Sequence, residues 1–181
     1  MLDEPHIAPL TNVIYSLRAA QPEIVIPNVD PLDGGVGARM LFLFEAPGPN
    51  TLETGFISRN NDDRTAEATF RFMRMAGIPR TETVIWNTGP GWDRDIANSA
   101  RTARRDAALL RGFIGALPNL EVVVLVGGVA RRYARPLVAE RGFLTFETVH
   151  PSPRAQGHPS YKNIPRVWAK AYAALNSNRR P

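Results

Sequence analysis

Four short runs of β-branched and aromatic residues, spaced by longer helical patterns, constrain this chain more than any other feature. They lie at Met40–Phe44, Thr83–Asn87, 121–126 and 144–149, and their near-continuous apolar character predicts strands buried on both faces. Between them the apolar residues recur at helical spacing. Ala66, Phe70 and Met73 are expected on one helical face, with Asp62 or Asp63 capping its start and Gly77 and Pro79 marking its end. Ala100, Ala103, Ala107, Leu110, Ile114 and Leu117 form the stripe of a longer helix. A shorter helix follows Gly127 and Gly128. The last begins near Asn163 and turns Ile164, Trp168, Ala171, Tyr172 and Leu175 inward, and residues 9–19 suggest one more helix ahead of the first strand. Strands alternating with helices predict a three-layer α/β/α sandwich around a short, mainly parallel four-stranded sheet, with residues 1–181 forming a single domain.

Composition excludes several classes of chemistry. The 181 residues include no cysteine, which rules out disulfides, thiolate zinc sites and cysteine-ligated iron–sulfur clusters. His6, His150 and His158 are the only histidines, so a His-rich metal site is not expected. The apolar runs at 41–44 and 122–126 are too short to cross a bilayer, and Asp3 and Glu4 stand where a signal peptide would be basic. A cytoplasmic monomer with no membrane partner is the expectation. The net charge of +5 suits a polyanionic partner, because basic side chains gain affinity for DNA by displacing its condensed counterions.

In a mainly parallel sheet the ligand crevice lies beyond the carboxyl ends of the strands. The unusual segments of this chain follow strand ends: 45–50, 87–92 and 150–154. Phe44-Glu45-Ala46-Pro47-Gly48 ends a strand in a Pro-Gly turn that can present backbone N–H groups to an acceptor, or serve only as a surface turn. Asn87 offers both donor and acceptor, which reading a base edge needs, although a strand-end Asn also caps turns. His150-Pro151-Ser152-Pro153-Arg154 places a histidine before a rigid turn, either to donate to a developing anion or as a structural residue.

In this order and spacing, from Met40 to about Pro153, the motifs resemble the uracil-DNA glycosylase superfamily. The stretch from Gly77-Ile78-Pro79-Arg80 to Val84-Ile85-Trp86-Asn87 is also similar to the segment before the base-reading Asn in that family's bacterial, thermophile-type branch. Departures mark a divergent, cysteine-free branch. The first motif is similar to the Gly-Glu-Ala-Pro-Gly of the iron–sulfur branch, with Phe44 in place of its leading Gly. Ala46 stands where the best-known members carry a water-activating Asp, and Gly48 where they carry a thymine-excluding Tyr. The family's stacking Phe falls at Ser58, with Phe56 the nearest aromatic.

The resemblance implies an enzyme that flips uracil out of DNA and hydrolyses its N-glycosidic bond, leaving an abasic site, with no metal or organic cofactor required. His150 and the backbone near Glu45 and Ala46 would stabilise the departing base. Asn87, Phe56, Gly48 and Ser58 would bind it, and Ser152 and Arg154 would contact DNA, with Arg154 either a wedge in the vacated stack or a phosphate contact. For water activation Glu45, Asp62 and Asp63 stay open. Arg101, Arg104, Arg105 and Arg111 line one helix side, as DNA contacts or as a solvated face; Trp86 and Trp92 flank Asn87 as packing residues, with Trp92 also placed to touch a base. Two rivals remain: a glycosylase of the same fold for another deaminated or mismatched base, and a catalytically weak DNA-binding module. The Val126-Gly127-Gly128-Val129 run fits neither the phosphate-loop nor the dinucleotide fingerprint.

Overall fold

Each of the four apolar runs forms a strand in the computed structural model, which describes residues 1–89, 91 and 100–177, with the side chains of 100–104 left aside. Numbered in chain order with two shorter strands, they are β2 (Met40–Phe44), β4 (Thr83–Asn87), β5 (Val122–Val126) and β6 (Leu144–Thr148). All are parallel, in the order β4-β2-β5-β6. Every residue of β2, β4 and β5 is buried, while β6, at the edge, is exposed at Leu144 and Thr145. The continuous apolar runs follow directly from helices covering both faces.

Period-two alternation assigns side chains to those faces. On one, Phe42 of β2 meets Trp168 of α6 (Ile164–Ser177) edge-on at 5.0 Å, and Trp168 in turn meets Phe72 of α3 (Arg64–Met75) at 6.1 Å. On the other, Trp86 of β4 stacks on Phe113 of α4 (Ala100–Gly115), with ring centroids 4.0 Å apart. Helices α1 (Ala8–Ala20) and α5 (Gly128–Glu140) pack against α4 on this second face. The result is the three-layer sandwich. Ile164, Trp168, Ala171 and Leu175 are buried, as their spacing requires.

One expectation needs correction, and two short strands add to the fold. Phe70 does not share the buried face of α3, because it is 40% exposed. The helix is rotated so that Phe72 contacts Trp168 and Tyr161, which carries Phe70 just past the edge of the stripe. The sheet of four strands is also joined by a small parallel pair, β1 (Asn28–Val29) with β3 (Phe56–Ile57), and by a short helix α2 (Asn50–Thr54). Gly55 ends α2 with φ +73°, where a side chain would be strained, and turns the chain into β3. Among the described residues no helix is long and apolar enough to cross a membrane.

Trp168 is fully buried between β2 and α3, and its indole N–H reaches the Thr148 hydroxyl at 3.4 Å. Trp168→Ala should therefore lower unfolding free energy by about 3–5 kcal/mol. Urea unfolding monitored by circular dichroism checks this; a loss under about 1 kcal/mol would mean the aromatic cluster does not hold the layer.

Candidate functional site

A cavity of about 310 Å³ opens at the carboxyl ends of the strands, at the small end of the range for ligand pockets. Ala46, Pro47 and Gly48 form one wall, Asn87 and Phe44 the floor, and His150 the side beyond them. Ser58, Arg59 and Asp63 close the remaining side. The turn after β2 is held to the strand end of β4: the Phe44 carbonyl accepts from the Thr88 N–H at 2.8 Å and from its hydroxyl at 2.9 Å, and the Glu45 carbonyl accepts from the Gly89 N–H at 2.9 Å. The Thr51 hydroxyl donates to the Gly48 carbonyl, tying the Pro-Gly turn to α2.

Asn87 is 2% exposed, and its Nδ2 has no hydrogen-bond partner among the described residues. A buried donor left unpaired costs on the order of 1–3 kcal/mol, so an acceptor entering the cavity would recover that loss.

His150 is oriented by its own turn. Its Nδ1 accepts the Ser152 N–H at 3.2 Å, so in the neutral ring the proton belongs on Nε2. Burial pushes its pKa below the ordinary histidine value, opposed in part by the Asp63 carboxylate. The ring stands edge-on to Phe44 at 5.5 Å, and Gly127 lets the backbone pass close behind: a Cβ there would sit 3.4 Å from the ring. Burial thus disfavours the cationic ring, and the bond at Nδ1 fixes its orientation.

Asp63 has two duties. Its Oδ1 accepts the N–H groups of Thr65 and Ala66, both at 2.9 Å, which caps α3, while the residue also lines the cavity. Asp62 is exposed and contributes its carbonyl to the Asn50 amide.

The other expected residues divide. Ala46, Gly48 and Ser58 line the cavity, and a Cβ on Gly48 would meet nothing within 4 Å. Glu45 is exposed and Phe56 half-buried in β3, and neither is part of the cavity wall. Ser152 acts on His150 through its backbone, and Arg154 is exposed on a turn at Pro153–Ala155. Trp86 belongs to the core. Trp92 and the side chains of Arg101 and Arg104 lie outside the described residues. Arg105 pairs with Asp106, and Arg111 with Glu140. Sequence reasoning did not single out Arg59, Thr65 or Thr69, which also line the cavity; one arginine in a polar stretch and two threonines on a helix carry no periodic signal. Among the described residues no His, Asp and Glu side chains gather as a metal-binding group.

A parallel sheet of this order, sandwiched by helices and with a cavity at its carboxyl edge, is a uracil-DNA-glycosylase-like α/β fold. The particular likenesses are to the crystal structure of wild-type SMUG2 from Pedobacter heparinus and the solution structure of a candidate uracil DNA glycosylase from Methanosarcina acetivorans. The first has a TM-score of 0.54 at 13% identity, covering 77% of this chain and 76% of the other. The second has a TM-score of 0.52 at 14% identity, covering 80% and 94%. No family model matches the chain, and none of the curated proteins does.

The lowered His150 pKa has a measurable consequence. Below the unfolded pKa of about 6.5 the unfolded chain takes up a proton that the buried ring resists, so stability falls as pH drops through that value. Urea midpoints at pH 7.5 and 5.5 should fall further in the parent than in His150→Gln. Equal falls would show that the ring is protonated as readily in the folded protein as in the unfolded one.

Proposed function

We propose that this chain is a DNA glycosylase that extrudes uracil and hydrolyses its N-glycosidic bond. The observation that carries the reading is the convergence of the unpartnered Asn87 Nδ2, the His150 ring and the Ala46–Gly48 turn on one cavity. Asn87 Nδ2 donates to a carbonyl of the base, which favours uracil over cytosine, whose amine presents a donor at that position. Cleavage breaks the C1′–N1 bond, and the electron pair leaves on the base. The Nε2–H of His150 and the backbone near Glu45 and Ala46 stabilise that charge. Donors aimed at developing charge are often the largest catalytic contribution, with one worth about 10²–10³ in rate.

Water adds to C1′ and gives up a proton. Asp63 suits this role better than Glu45, because its carboxylate borders the cavity while Glu45 is exposed and outside the wall. The net charge of +5 favours DNA as the partner, and the exposed Arg154, on the turn after Ser152, would contact its phosphates. The open space beside Gly48 favours a second reading of the same site, in which a 5-methyl group is tolerated and mismatched thymine is also released.

Base release from single- and double-stranded oligonucleotides carrying uracil, hypoxanthine, xanthine or mismatched thymine tests the proposal. Asn87→Ala and His150→Ala should each lower uracil excision at least about a hundredfold with the fold intact. Near-normal rates in both would sink the site assignment, and tight binding without an abasic product would mark a DNA-binding module instead.

Asp63→Asn separates chemistry from capping, because asparagine caps a helix as well as aspartate does. Single-turnover excision should fall at least about tenfold at unchanged melting temperature. An undiminished rate would return the role to Glu45 or to unassisted water.

A further inference from the structure

The side of the cavity formed by Ser58 and Arg59 is backed by a buried charge cluster that the reading above does not use. Arg59 is 5% exposed. Its Nη2 donates to the Asp33 carboxylate at 3.1 Å and to the Thr83 hydroxyl, while its Nε is buried with no hydrogen-bond partner among the described residues. Behind it, Arg80 Nε donates to Asp33 at 2.9 Å, and Asp30 accepts from both Arg80 and the Ser58 hydroxyl. The cluster comes from three segments distant in sequence and meets the cavity through Ser58 and Arg59.

Its construction is costly. Burial raises the Asp33 pKa to about 6 despite the neighbouring Arg59, and burial likewise lowers that of Arg59 against the pull of Asp33. Well-packed apolar residues often replace a buried ion pair without loss of stability, so the fold does not require one here. A guanidinium offers five N–H donors, and Asp33 and Thr83 engage only one of its nitrogens. Arg64, the other arginine in the wall, is exposed, and its field is weakened by solvent.

Resting on the glycosylase reading, we propose that Arg59 is a further catalytic residue, a buried cation that donates an N–H to a carbonyl oxygen of the extruded base and stabilises the negative charge it acquires on leaving. The Asn87 amide supplies a neutral donor, whereas Arg59, still paired with Asp33, supplies a charge-assisted N–H in a site of low dielectric, where such a bond is strongest. Asp33 holds the guanidinium against the wall. The ligand class follows: bases with at least two ring carbonyls, over which the departing charge is spread. Bases that present an exocyclic amine to Arg59 are rejected, because two donors would face each other.

The experiment varies the leaving group. Arg59→Met combined with Asp33→Asn removes the pair together, so that neither charge is left buried alone. Single-turnover release of 5-fluorouracil, uracil and thymine from single-stranded oligonucleotides is measured for the parent, this pair variant and Arg59→Lys. The pair variant should lose about a hundredfold on uracil, more on thymine and less on 5-fluorouracil, the best leaving group, while Arg59→Lys recovers part of the loss. Equal losses on the three bases would overturn the proposal and leave Arg59 a purely structural group.

Calorimetric binding of free uracil and free 5-fluorouracil at mildly alkaline pH gives a second readout. The parent should prefer the more acidic fluorinated base, and the pair variant should lose that preference. Should the pair variant not fold, Arg59→Gln with Asp33→Asn carries the same expectations. A parent that binds free bases with this preference but releases none from DNA refutes the glycosylase reading and supports Arg59 as an anion-sensing wall. A parent that excises uracil, with parallel losses and unchanged preference in the variant, supports the glycosylase reading and overturns the role of Arg59. A parent that neither binds nor releases a base overturns both.

Discussion

Parallel pairing on both edges of β2, with helices over both of its faces, is the constraint from which the rest of this molecule follows. A strand so placed has no solvent side, and an unpaired polar side chain in it would lose hydration without return. Met40 through Phe44 are accordingly apolar and buried throughout. Polar chemistry is left only the strand ends. The ladder then sets its geometry, because Phe44 is in register with Asn87 at the last rung and the turns beyond are joined by Thr88 and Gly89. The amide faces the cavity at a distance from the Pro-Gly turn fixed by backbone pairing rather than by a flexible loop.

The same constraint explains what the sequence made legible. Strands buried on both faces leave unbroken apolar runs, so all four were visible to within a residue at either end, and the residues at their carboxyl ends, Asn87 and His150, could be picked out by position. Helix rotation was less visible: Phe70 and Phe72 both neighbour the apolar stripe of α3, and only contact with Trp168 and Tyr161 decides which is buried. Strands of two residues have no period to detect, which hid β1 and β3. The Asp30, Asp33, Arg59 and Arg80 cluster was beyond reach, since its members gain meaning only from mutual distance. Asp63 was visible as a cap, but its place on the cavity wall depends on where α3 begins relative to His150.

Two kinds of polar group therefore meet at one edge of the sheet. Burial disfavours protonation of His150, and the Ser152 N–H fixes the orientation of its ring. Arg59 is the charged member, buried beside the Asp33 carboxylate that compensates it. Identities of 13 and 14% to structures of the same fold are understandable on this footing. Layer packing asks only for apolar character at given spacings, which many residues satisfy, while the cavity wall is free to change its charges.

The walls of the cavity enter the chain at widely separated points: the Pro-Gly turn near residue 47, the capped start of α3 at Asp63, Asn87 at the end of β4, and His150 after β6. Because β6 pairs with β5 at the edge of the sheet farthest from β4, the histidine reaches its place only once the whole sheet has assembled across its width. During synthesis the first 149 residues can emerge and pair β2, β4 and β5 without producing a complete pocket. Competence is therefore all-or-none along the growing chain. A nascent or truncated polypeptide that stops short of His150 holds only part of the wall that the finished molecule gathers around its cavity.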